Sequence, residues 1–157
     1  MLTATVNLSY GGDAASVGAV HALNAIGAII GGLIAAALPR VTVRSLILAT
    51  SALGVALILN AAAPTLSLFL LAAPVLGLGI GYYHGVLNAA AQSSAPPQAI
   101  GRLMSLVTLG NYGMAPFGAL LMGWVIDASS GRVSLLVGGI AALACTLLVA
   151  IRAPKAA

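Results

Sequence analysis

Charge is the scarcest ingredient of this chain. Only 5% of its 157 residues are charged, and two of them, Asp13 and Asp127, are acidic, whereas a soluble globular chain carries about a quarter of its residues charged. Apolar residues make up 61%, and a domain of this length has too little interior to hide them. The remainder must face lipid. The six basic residues leave a net charge of +4 but gather on no polar face, so a nucleic-acid partner is not expected. Cys145 is the single cysteine; it can form no internal disulfide and lies in an apolar run, where it reads as packing. Two lone histidines without Cys, Asp or Glu beside them make no metal site. There is no Ser/His/Asp set, no phosphate-binding glycine loop and no heptad repeat, so neither enzyme chemistry nor a cofactor is expected. The N-terminus lacks the basic flank and long apolar core of a cleaved signal peptide.

Apolar length is what the chain has instead. The strongly polar break from Ser93 to Arg102 separates two long apolar segments. Pro96 and Pro97 end the helix before them, and Gly101 with Arg102 marks the approach to the next. Hydropathy then places five full spans, at about 17–38, 45–62, 66–92, 104–126 and 133–151. Residues 1–9 are interrupted by Thr3, Thr5 and Asn7 and rise about 14 Å as helix, half the hydrocarbon thickness. They read as the remnant of a further span. The expected fold class is all-α: a polytopic transmembrane helix bundle in a single membrane domain over 1–157, with five full spans plus an N-terminal partial span.

Alternating the spans puts Arg40, Arg44, Arg102, Arg152 and Lys155 on one face, and Arg132 with Asp13 and Asp127 on the other. Positive charge is retained on the cytoplasmic side, so the first face and the C-terminus are expected in the cytoplasm. Trp124, near the outer end of the fourth span, fits an interfacial aromatic anchor.

The polar residues inside the spans predict which faces look inward. On the third span Gly77, Gly81, His84, Asn88 and Gln92 recur every three or four residues on one side, and Leu68, Ala72, Val75, Val86 and Ala90 lie opposite, toward lipid. On the fourth, Ser105, Thr108, Asn111, Tyr112, Ala115 and Ala119 share a face. His21 and Asn24 sit one turn apart on the first. The first, third and fourth spans are therefore expected to surround something polar, with the second and fifth outside. Amides are costly in lipid, so Asn24, Asn88 and Asn111 should face the bundle, either binding a solute or bonding neighbouring helices. His84 either titrates near neutral pH or stays neutral against a neighbour. Gly27 and Gly31, like Gly77 and Gly81, form small-xxx-small pairs for close helix packing, which would also permit rocking. Pro74 and Pro116 fall inside spans, where each removes a backbone hydrogen bond. No Asp or Glu lies within a span, so proton coupling would fall to His84, His21 or another polypeptide.

The segment Gly77-Leu-Gly-Ile-Gly81 leading through Asn88 and Gln92 to Pro97, then Ile100-Gly-Arg-Leu-Met-Ser105, then Ala115-Pro-Phe-Gly-Ala-Leu120 and Gly123 resembles the C-terminal half of a major facilitator superfamily transporter. The nearest subgroup is the bacterial efflux proteins that include enterobactin exporters and macrolide efflux proteins. The connection Leu38-Pro-Arg-Val-Thr-Val-Arg44 resembles that superfamily's Gly-x-x-x-Asp-Arg-x-Gly-Arg-Arg loop without its acidic residue and inner glycine. The resemblance implies an integral protein of the bacterial cytoplasmic membrane, exporting a small organic solute by alternating access. It implies that residues 1–9 belong to the seventh of twelve helices, and that an N-terminal transporter half or a second copy supplies the opposing wall. Asn24, His84, Asn88, Asn111 and Tyr112 are the expected lining of the path, and Arg40, Arg44 and Arg102 the cytoplasmic loop and gating residues. The alternative is a non-transporting truncated fragment, or a membrane scaffold packed against another protein.

Overall fold

Each long helix starts where a side-chain oxygen holds the first unpaired backbone N–H groups, which no carbonyl inside the helix can reach. The computed structural model describes residues 2–152. A single turn, α1 (Leu2–Ala4), runs into a π-helical stretch, Thr5–Ser9, and the chain then reverses through Gly11, whose φ of 61° favours glycine. Asp13 opens α2 (Ala14–Ala36), with Oδ1 accepting from Ser16 N at 2.9 Å and Ser16 Oγ at 2.7 Å. Thr42 and Ser45 form a reciprocal capping box at the start of α3 (Val43–Ala62). Thr65 Oγ1 accepts from Leu68 N at the start of α4 (Leu66–Ser93). After α5 (Ile100–Gly113) and α6 (Ala115–Ala128), Ser130 Oγ accepts from Val133 N beneath α7 (Gly131–Arg152). No strand occurs among the described residues.

Four helices, α2, α3, α4 and α7, are long and apolar enough to cross a membrane. The expected fourth span at 104–126 is corrected: it is two helices of 14 residues each, meeting at Met114. Each rises about 21 Å, short of the roughly 30 Å hydrocarbon core. Pro116 supplies the cause, since it has no N–H to offer the Tyr112 carbonyl. The bond before it, Met114 N to Gly110 O, is stretched to 3.4 Å, and the ladder resumes at Gly118 N to Met114 O, 3.0 Å. Pro74 carries the same defect in the middle of α4, yet that helix runs on unbroken. The difference lies in what flanks it: α4 is packed between two helices.

Helix α4 is the centre of the bundle. Along one side α2 lies against it so closely that a Cβ at Gly27 would collide with the Pro74 carbonyl, and one at Gly31 with that of Leu78. From the other helix, a Cβ at Gly77 would meet the Asn24 carbonyl and one at Gly81 that of Ala28. Along its other side α4 meets α3, where Gly79 faces Leu53 and Ala56. The lipid-facing expectation for that side therefore needs correction. Leu68 and Val75 are exposed, but Val86 is fully buried in a cluster with Ala49 of α3, and the Ala72 carbonyl receives an α3 amide. Helix α3 in turn meets α7, where a Cβ on Gly139 would lie 2.9 Å from Gly54 O. A larger apolar cluster, with Val6, Val20, Phe69 and Leu135, closes the opposite end from the Ala35–Ala49–Val86 cluster. Neither α5 nor α6 contains a buried residue.

This antiparallel arrangement gathers Arg40, Arg44, Arg102 and Arg152 at one end, and Asp13, Asp127 and Arg132 at the other. Lys155 lies outside the described residues.

Candidate functional site

Of the expected lining residues, Asn24 sits on α2 and His84 and Asn88 on α4, the two helices that interlock. Asn24 is half-buried on α2, and its Nδ2 donates to the Ala73 carbonyl of α4 at 3.4 Å. That amide is therefore a tie between the two helices. Three residues earlier, the exposed His21 ring sits with Nε2 3.1 Å from Thr3 Oγ1 of α1. On α4, Gly77 and Gly81 face α2, and His84 and Asn88 follow them one and two turns further along. His84 is exposed, with its ring edge-on to Tyr83 at a centroid distance of 5.4 Å. Asn88 is half-buried. Neither His84 nor Asn88 makes a hydrogen bond to a described residue.

Asn111 and Tyr112 lie apart from these three. They sit at the end of α5, where Tyr112 is 76% exposed, on a helix that is nowhere buried. Tyr112 lines a shallow recess of about 500 Å³ with Met104, Ser105, Thr108, Leu109 and Gly113, all of them α5 residues. The structure thus brings Asn24, His84 and Asn88 to one pair of interlocked helices and leaves Asn111 and Tyr112 on the neighbouring, loosely attached arm. Of the basic residues at the Arg40 end, Arg40 and Arg44 flank the start of α3 and Arg102 lies in the first turn of α5, all three exposed.

Two further polar sites carry weight that their sequence positions did not reveal. Arg132, in the first turn of α7, donates through Nε to the Ala61 carbonyl at 3.1 Å and through Nη2 to that of Ala63, the last carbonyls of α3. Its guanidinium lies 5.8 Å from the centre of the Tyr10 ring, and Tyr10 Oη donates to the same Ala63 carbonyl at 2.6 Å. Burial raises the Tyr10 pKa, and the neighbouring Arg132 charge opposes that rise. The signal was Arg132 itself, the only basic residue assigned to the opposite face by charge counting. Asn60 is the second. It is fully buried near the end of α3, and its Nδ2 donates to Ala56 O at 3.0 Å and across to Ala72 O of α4 at 3.1 Å.

Among the described residues no three His, Cys, Asp or Glu side chains lie together. What α2 and α4 offer is amides, two imidazoles and bare glycine backbone, with no carboxylate on either helix. The sequence model of the family described as Major Facilitator Superfamily matches residues 1–157. No curated protein and no solved structure matches the chain.

Proposed function

The chain belongs to the Major Facilitator Superfamily, a family of membrane transporters, and from that premise we propose that it exports a small organic solute by alternating access. It acts as the C-terminal half of a transporter of the bacterial efflux subgroup, in the cytoplasmic membrane, with the Arg40 end and the C-terminus in the cytoplasm, where positive charge is retained. A second bundle, an N-terminal half or another copy of this chain, provides the wall against which it rocks, since secondary transporters close a midplane site between two repeats.

One observation supports this reading above the others. His84 and Asn88 lie in a helix apolar enough to cross a membrane, yet neither is hydrogen-bonded to any described residue. Facing hydrocarbon, such groups cost several kcal/mol; facing a wet path or a solute, they cost little. Helices α2 and α4 meet backbone to backbone and so move as one rigid unit, carrying Asn24, His84 and Asn88 together. Asn111 and Tyr112 reach the path when the α5–α6 arm closes on it. Arg40, Arg44 and Arg102 form the cytoplasmic gating cluster, with Arg102 at the hinge between α4 and α5. With no carboxylate in the four long helices, a proton-coupled cycle uses His84 or His21, or a group from the second bundle.

The test is dye efflux from cells expressing the chain with its second bundle, using ethidium and fluorescein as cationic and anionic probes. Alanine at His84 or Asn88 is expected to slow efflux of the transported probe at least about tenfold, the scale of one lost hydrogen bond to a charged or strongly polar partner. Parental rates in the alanine variants of all five lining residues would sink the assignment. Collapsing the proton gradient decides the coupling.

A further inference from the structure

Arg132 and Arg152 occupy opposite ends of α7, and their surroundings differ. Arg132 spends its donors on two carbonyls and lies over an aromatic ring. Arg152, in the last turn, is exposed and makes no hydrogen bond or ion pair to any described residue. Beside it a groove of about 380 Å³ runs between the helices, walled by Val43 and Leu46 of α3 and by Leu148 and Val149 of α7, with Arg152 at its mouth. The two helices touch closely further in, at Gly54 and Gly139, and the groove occupies the space toward the Arg40 end.

We infer that this groove seats an anionic phospholipid, with an acyl chain against Val43, Leu46, Leu148 and Val149 and the phosphate on the Arg152 guanidinium. The match is one of profile. Four aliphatic side chains followed within one turn by a cation with no partner among the described residues reproduce the order of a lipid, tail then headgroup. A planar guanidinium also binds phosphate through two parallel hydrogen bonds. Charge complementarity selects the headgroup. Arg40 and Arg44 flank the start of α3 beside the groove, and both acidic residues lie at the other end of the bundle, so a net-negative lipid is drawn there while a zwitterion gains little. The inference needs only that the helices stand in a bilayer, and is independent of whether the chain transports anything.

Native mass spectrometry of the full chain in detergent, offered equal amounts of palmitoyl-oleoyl phosphatidylglycerol and phosphatidylcholine, provides the test. The parent should retain phosphatidylglycerol preferentially. Arg152→Gln should cut that preference about fivefold, the contribution of one arginine near a membrane surface, and Arg152→Lys should keep most of it. Arg102→Gln removes the same charge from the same end outside the groove and should leave the preference intact. Leu148→Trp fills the groove with Arg152 in place and should lower retention of phosphatidylglycerol; it decides the matter should Arg152→Gln fail to fold. A parent without preference, an Arg152→Gln protein that keeps it, an equal loss in Arg102→Gln, or unchanged retention in Leu148→Trp would each overturn the site.

Discussion

The four long helices and the α5–α6 arm are built from similar residues and have opposite fates. Both are apolar, both contain glycines at helical spacing, and each contains a proline. Gly27, Gly31, Gly77, Gly81, Gly54 and Gly139 all lie where another helix leaves no room for a side chain, whereas Gly101, Gly110, Gly118 and Gly123 have nothing within 4 Å of where a Cβ would be. The packed helices are all capped by side chains, from Asp13, Thr42, Thr65 and Ser130. The arm's helices begin at Ala99 and Met114 with no side-chain cap. Pro74 is absorbed between α2 and α3, and Pro116, with no helix on either side, bends its helix at Met114. Small residues and prolines therefore do not determine packing by themselves; what they do depends on whether a partner helix is within reach.

The sharpest way to break this contrast is to put one side chain on each kind of glycine. Gly81→Leu forces a side chain into the Ala28 backbone, which cannot shift without separating α2 from α4. It should cost about 3 kcal/mol or more, at the severe end of overpacking. Gly123→Leu on α6 meets nothing and trades a poor helix former for a good one, so stability should hold or rise by up to about 1 kcal/mol. Unfolding in mixed micelles of increasing SDS content measures both. Equal losses would mean that the arm is packed after all.

The long apolar helices were legible in the sequence, the contrast with the arm was not, and the illegible part has a definite cause. Length and hydropathy located α2, α3, α4 and α7 to within about three residues at each end, because a long apolar run reports its own solvent. The same signal merged α5 and α6, since hydropathy does not register one missing N–H at Pro116. Helical phase put Gly77 and Gly81 on one face with His84 and Asn88, but one helix cannot say which neighbour fills that face; α2 fills the glycine part, and Val86 opposite turns to α3. Asn60 and Arg132 escaped notice as site residues for the same reason. Their partners are carbonyls of Ala61, Ala63 and Ala72, which no side-chain pattern encodes.

Arginines sharpen the comparison at the next level of effect. Arg132→Gln removes a charged donor from the end of α3 and from the Tyr10 face, and should destabilise by about 2 kcal/mol. Arg102→Gln, exposed on the arm, should stay within about 0.5 kcal/mol. Tyr10→Phe should cost about 1 kcal/mol, and the double variant should cost more than the sum, since either donor alone still satisfies the buried Ala63 carbonyl and losing both leaves it without one. Strict additivity would show that the two do not act as one clamp. Asparagines repeat the comparison on a smaller scale. Asn60→Ala, which breaks an α3–α4 bond, should cost about 0.6 to 1.7 kcal/mol, the range for hydrogen bonds between membrane helices. Asn111→Ala on the arm should be neutral in the same SDS titration, with any effect confined to efflux.

The smallest effect belongs to a cap, and its sign is fixed by linkage. Asp13 accepts from the Ser16 hydroxyl and backbone N–H, and these bonds hold its carboxyl below its ordinary value of 3.8. A depressed folded-state pKa means that the unfolded chain takes up the proton more readily, so the stabilisation is present above the ordinary value and is lost as pH falls through the lowered one. The group is fully exposed, so the loss should be small and screened by salt. Thermal unfolding in detergent between pH 5 and about pH 2, the acid range in which a depressed carboxylate titrates, should show a modest decline that Asp13→Asn lacks, since the amide can still cap α2 but does not titrate there. A decline of equal size in Asp13→Asn would show that the Asp13 cap does not carry the acid sensitivity, and would erase the distinction between capped and uncapped helices at this end of the bundle.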